Sequence, residues 1–182
     1  GWYVPAIRDV CRLVCSSPAK SSLMPLFTRA DDILRALDYY QPALVHFCEF
    51  IPLAASDHAR REACLADLVR TQERVKREFP PIGIIRSIPV PAAVPADPAP
   101  VRDAILQIAR SLEPHSDFFM TDTLRGSVEG GGAQPVEGYV GITGETCNWD
   151  LAAAIIEASR IPLILAGGIG PDNVCEAIRR LR

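Results

Sequence analysis

Long hydrophobic runs are missing from this 182-residue sequence. No stretch approaches the roughly 20 apolar residues that span a bilayer, so no transmembrane helix is expected. The start, GWYVPAIRDV, lacks the basic and apolar regions of a secretory signal, and a cytoplasmic location is the expectation. Lysine and arginine form no cluster, and the net charge is −3. Nucleic acid and anionic membranes demand a basic footprint, so neither is expected as a partner; any bound anion should be small and locally held. The six cysteines, Cys11, Cys15, Cys48, Cys64, Cys147 and Cys175, include no CxxC pair and are scattered. That pattern points to no zinc site and no disulfide framework, and the thiols are expected to be reduced and structural.

What is present is the composition of an ordinary globular domain, 48% hydrophobic and 23% charged, read as one domain over residues 1–182. The chain begins with Gly1 and stops on AIRRLR within a helical pattern, so it is expected to be incomplete at both ends.

Short apolar runs alternate with amphipathic stretches, the signature of βα units around a buried parallel sheet. Strands are predicted at GWYV (1–4), LMPLFT (23–28), ALVHFC (43–48), IGIIRSI (82–88), DFFMTD (117–122) and PLILAG (162–167). Helices are predicted at ADDILRALDYY, ARREACLADLVRTQERVKREF, DPAPVRDAILQIARSL, NWDLAAAIIEASR and PDNVCEAIRRLR, the last opened by Pro171. Cys11 and Cys15 fall in a further helical stretch and are expected in the core. The spacing is about 30 residues per unit. A closed (β/α)₈ barrel needs roughly 250 residues, so the α/β fold is either an open doubly wound sheet or a partial barrel short of about two units. PVPAAVPADPAP (89–100) reads as an extended surface connection, and the glycine-rich 123–144 stretch as a long loop.

Several residues have the chemistry of a site. Gly167 and Gly168 stand where a buried strand gives way to a helix, so their N–H groups can approach a phosphate; a glycine turn made for close packing is the alternative. Asp122 ends a strand among Phe118, Phe119 and Met120, where partial desolvation would raise its pKa and suit it to general acid work; a helix-cap or turn aspartate is the alternative. Gly141 and Gly144 offer further backbone N–H groups, and Asn148 is a candidate N-cap, with Trp149 burying against the sheet. His46 shares a strand face with Cys48, and Arg86 is expected to point with them into the barrel top or outward against helices; near a strand end it would grip a carboxylate, and a satisfied structural role is the alternative for both His46 and Arg86. His58 and His115 are expected at the surface.

Together these pieces resemble the phosphoribosylanthranilate isomerase family, a (β/α)₈ TIM barrel. FMTDT (119–123) stands for its LLDT run, TGETCNWDL for its GTGKTFDW-like run, and LILAGGIGPDNVCEAI (163–178) is close to LAGGLNPENVAEAI. The strands from residue 23 onward fit the family's third to seventh, with GWYV as the end of the second. The resemblance implies a cofactor-free, metal-free Amadori rearrangement of N-(5-phosphoribosyl)anthranilate in tryptophan biosynthesis. It implies Asp122 as general acid on the ribose ring oxygen, Gly167 and Gly168 as part of the phosphate site, and a cysteine base on a first strand that this sequence does not show. Arg86, Gly144 and His46 are further substrate-binding candidates. HFCE replaces the family's QLHG run, Glu145 its loop lysine and Asn148 an aspartate. Another sugar-phosphate barrel, such as an epimerase, and a catalytically inactive barrel that survives as an interaction partner are the other readings. A partial barrel would be prone to oligomerise.

Overall fold

The computed structural model describes residues 3–126, 128 and 134–181. Helix α1 (Pro5–Cys15) is followed by β1 (Ser22–Leu23), α2 (Ala30–Tyr40), β2 (Leu44–Phe47), α3 (His58–Glu78), β3 (Gly83–Pro91), α4 (Ala99–Leu112), β4 (Phe118–Leu124), α5 (Trp149–Ala158), β5 (Leu163–Ile164) and α6 (Val174–Arg180). All four strand pairings are parallel, and the strands lie in the order β1-β2-β3-β4-β5. A doubly wound sheet reverses its strand order at a switch point, whereas this one never does. Right-handed crossovers between successive neighbours put the helices on one side, so the sheet is an arc of a (β/α)₈ barrel.

Alternation along the strands sorts side chains between two faces. Val45, Phe47, Ile84, Ile88 and Phe119 are almost wholly buried toward the helices. Ile33, Leu34 and Leu37 of α2 and Val75 of α3 cluster with Val45, Phe47 and Ile84; Leu65, Leu68, Ile105, Ile108 and Ile155 belong to a second cluster with Ile88 and Phe119. Each fully buried aliphatic side chain contributes roughly 2 kcal/mol. The opposite face carries His46, Ile85, Ser87, Met120 and Asp122; along β4, Phe118, Met120 and Asp122 are half-buried. Polar contacts lock the arc at its lower edge. The Asp117 carboxylate accepts from Ile84 N at 2.6 Å and from Lys76 Nζ at 2.6 Å, tying β3, β4 and α3 together.

Several expected elements differ. Residues 3–4 are not in a strand: Val4 is the extended N-cap of α1, and Pro5 starts that helix where its missing N–H costs nothing. Gly1 and Trp2 lie outside the described residues. Cys11 is buried but Cys15 is exposed. Of the run at 23–28 only Leu23 pairs, together with the preceding Ser22, because Pro25 has no N–H to give a ladder. The 162–167 run pairs only at Leu163 and Ile164. Pro89 and Pro91, expected in a surface connection, are the end of β3. They lie beyond its pairing with β2, where β4 alone is alongside and a missing N–H is tolerated. Pro171 does not open α6, which starts at Val174. Asn173 holds the preceding turn instead, its Oδ1 accepting from Gly170 N at 2.9 Å and its Nδ2 donating to Gly168 O at 2.8 Å.

Candidate active site

Three adjacent strands bring three polar side chains together on the open face. His46 comes from β2, Ser87 from β3 and Asp122 from β4. Nε2 of His46 lies 2.7 Å from Ser87 Oγ, and that hydroxyl donates to Asp122 Oδ2. His46 Nε2 is 3.8 Å from the same carboxylate oxygen. The imidazole and the hydroxyl are buried, while the Asp122 side chain keeps 14% exposure at the carboxyl end of the sheet.

Burial sets the protonation of this cluster. It raises the Asp122 carboxyl to about 6, with the Ser87 hydrogen bond pulling the other way. It lowers the His46 imidazole to about 4, assisted by the positive charge of Arg86 and opposed by Glu49. Cys48, two residues beyond His46, is pushed up to about 12 by burial and by the charges of Glu49 and Asp122, so its thiol keeps its proton at neutral pH. The arrangement is not a nucleophilic triad. The carboxylate bonds the serine rather than the imidazole, and Ser87 is fully buried.

The loop after β4 returns over this cluster. Residue 139 bridges Glu49 in antiparallel fashion, Phe50 N donates to Gly138 O at 2.9 Å, and Val140 N donates to Cys48 O at 2.9 Å. Gly141 then lies against the acid: with φ of +103°, a Cβ there would sit 2.6 Å from Asp122 Oδ1. Arg125 Nε donates to Glu145 Oε1 at 2.9 Å, closing the loop's two ends on each other. Residues 127 and 129–133 of the expected loop lie outside the described residues.

Gly167 and Gly168 meet the 145–146 segment so closely that Cβ atoms would collide with Thr123 and with Thr146 N. Close packing, one of the two readings of these glycines, therefore accounts for their missing side chains. Their N–H groups, and that of Ile169, form no hydrogen bond with a described residue. Helix α6 begins several residues further on and has seven residues, so its dipole adds little here. Gly144 has open space around it.

Arg86 is corrected as a substrate-binding residue. The register pairs it with Phe47, so it points to the helical side, opposite His46. It is fully buried, donating from Nε to Gln72 Oε1 at 2.8 Å and from Nη1 to Glu49 Oε2 at 2.6 Å, with its guanidinium 5.0 Å from the Phe47 ring. Its carboxylate partner belongs to the protein. His46, expected at the substrate, is buried and engages Ser87. Asn148 does cap α5, accepting from Asp150 N and Leu151 N at 3.0 Å. Trp149 is only half-buried, and His115 is half-buried rather than exposed.

Ser87 escaped the sequence reading, and Gly141, expected only as a backbone N–H donor to a ligand, proves to pack against the Asp122 carboxyl. Ser87 stood in the polar pair of IIRSI, but choosing it over Arg86 required the register of β2 on β3. A pocket of about 790 Å³ opens among Ala54, Ala92, Val94, Asp97, Val101 and Glu145, lined by none of the three cluster residues. Among the described residues no group of acidic, histidine or cysteine side chains is arranged to hold a metal ion, and no helix is long and apolar enough to cross a membrane.

No family model matches the chain. It is 43% identical over 81 residues to an N-(5′-phosphoribosyl)anthranilate isomerase of Haloferax volcanii, covering 44% of this chain and 32% of that protein. It is 35% identical over 118 residues to isomerase 1 of the same name from Methanosarcina mazei, covering 63% and 45% respectively. The chain thus spans less than half the length of these relatives. Among solved structures, the N-(5′-phosphoribosyl)anthranilate isomerase of Pyrococcus furiosus superposes with a TM-score of 0.62 at 14% identity, over 96% of this chain and 65% of that one. The phosphoribosyl anthranilate isomerase of Thermococcus kodakaraensis gives 0.62 at 19%, over 96% and 66%.

Proposed function

We propose that this chain, a divergent member of the phosphoribosylanthranilate isomerase family, carries the acid half of the Amadori rearrangement of N-(5-phosphoribosyl)anthranilate. The observation that supports this reading best is Asp122: a half-buried carboxyl at the mouth of the barrel arc, with its proton affinity raised to about 6. Such a group hands a proton to the ribose ring oxygen as the ring C–O bond breaks, leaving the nitrogen lone pair to form an iminium. Loss of the C2′ proton and ketonisation then complete the shift, and no electron carrier is needed. A raised pKa keeps a useful fraction of the carboxyl protonated near neutrality.

The phosphate is received by the N–H groups of Gly167, Gly168 and Ile169, with Gly144 on the facing loop. Cys48 is unsuited to the base role because its thiol holds its proton. In this reading residues 1–182 form one domain of a cytoplasmic, cofactor-independent enzyme whose partner is a phosphorylated small molecule.

The test follows loss of phosphoribosylanthranilate fluorescence with wild type and Asp122→Asn side by side. Removing a general acid costs on the order of 10²–10⁴ in rate, so turnover by the wild type should fall by at least 10² in the variant. Turnover unchanged in the variant would remove Asp122 from the acid role. A folded wild type without turnover would turn the reading toward another sugar-phosphate barrel or an inactive one.

A further inference from the structure

We infer that Ser87 is the positioning residue for Asp122, its hydroxyl held by the His46 imidazole on one side and fixing the orientation of the Asp122 carboxyl on the other. The inference rests on the acid role proposed above and adds a residue to it. Proton counting carries the argument. A serine hydroxyl has one proton, and Ser87 gives it to Asp122 Oδ2. At 2.7 Å from His46 Nε2, the same oxygen must therefore accept, which places the imidazole proton on Nε2 and leaves Nδ1 bare. The hydroxyl is thus pinned from both sides and cannot rotate away from the carboxyl.

The three groups stand on three neighbouring strands, so the roughly 4.8 Å ladder spacing sets the chain of contacts and no loop movement breaks it. Ser87 is fully buried, which removes it from any direct part in the chemistry. Among the described residues His46 alone comes within ion-pair distance of Asp122. Arg86 and Glu49 act on the cluster only through space, Arg86 from the other face of the sheet, and Cys48 is a neutral thiol at neutral pH.

The decisive measurement is a carbon-13 NMR titration of the Asp122 carboxyl in the full chain, wild type against Ser87→Ala, with nitrogen-15 shifts reporting the His46 tautomer. Loss of the donor withdraws support from the ionised carboxylate, so the Asp122 midpoint should move up by about one unit, and the Nε2–H preference of His46 should be lost. A Ser87→Cys variant, close in volume but a weak donor, should move the midpoint the same way and serves if Ser87→Ala does not fold. In turnover, both variants should lower kcat on the order of tenfold with KM changed less than twofold, and the alkaline limb should follow the midpoint upward. A midpoint that stays in place in folded variants overturns the assignment. A shifted midpoint in a protein whose wild type does not turn over the isomerase substrate supports the Ser87 contact and removes the isomerase reading instead.

Discussion

Asp122 and His46 drive stability in opposite directions across nearly the same pH interval. The folded state raises the carboxyl from 3.8 to about 6. Its contribution is therefore complete below pH 3.8 and is lost as pH rises through about 6. The folded state lowers the imidazole from 6.5 to about 4, so its contribution is complete above pH 6.5 and is lost as pH falls through about 4. In the wild type the two slopes nearly cancel. Asp122→Asn leaves the imidazole slope alone, and denaturant-unfolding stability should climb between pH 4 and 6.5, by about 2–3 kcal/mol. His46→Gln leaves the carboxyl slope alone, and stability should decline over that range by a similar amount. Profiles of the same sign in the two variants would contradict the assignment. Asp122 was readable at this scale because DFFMTD carries a carboxyl toward the end of an apolar run, although the strand itself starts at Phe118 and continues to Leu124. Ser87 was not, because Arg86 and Ser87 are adjacent polar residues and only the pairing of Phe47 with Arg86 decides which of them faces His46.

Among the elements, α5 has its start fixed by the side chain of Asn148. Asn148 accepts from two of its first-turn N–H groups, and Asn148 N in turn donates to Pro91 O at 3.0 Å, fastening the helix start to the end of β3. Asn148→Ala should cost about 1 kcal/mol, read as a lower urea midpoint with an unchanged slope. A variant with the wild-type midpoint would show that the backbone bond alone suffices. Helix α2 was legible in full, since ADDILRALDYY carries both an acidic first turn and an apolar face, and the helix occupies those residues. Helix α6 was not. Pro171 advertises a start, yet the two bonds of the Asn173 side chain draw residues 168–173 into a turn, and those bonds depend on where Gly168 has been placed.

For the whole molecule, the arc has two flanks. On one, Tyr3, Val4, Ile7, Val10 and Leu13 stand exposed on and beside α1; on the other, Ile164 and Ile178 stand exposed near the β5 edge. Strands at an open edge offer unpaired backbone groups, and apolar flanks reward covering them. The isolated 182-residue chain should therefore self-associate on dilution from denaturant, seen as species heavier than 19.8 kDa in sedimentation velocity. A monomer that melts in one cooperative transition would refute this.

The barrel-type alternation, the helix faces, the carboxyl near a strand end and the paired glycines were determined by the sequence alone, because periodicity and turn chemistry act over a few residues. Strand order without a reversal, the inward face of Ser87, the outward face of Arg86 and the return of Gly141 onto Asp122 were decided only by tertiary structure. Each depends on register between segments tens of residues apart, and a slip of one residue exchanges the two faces of a strand.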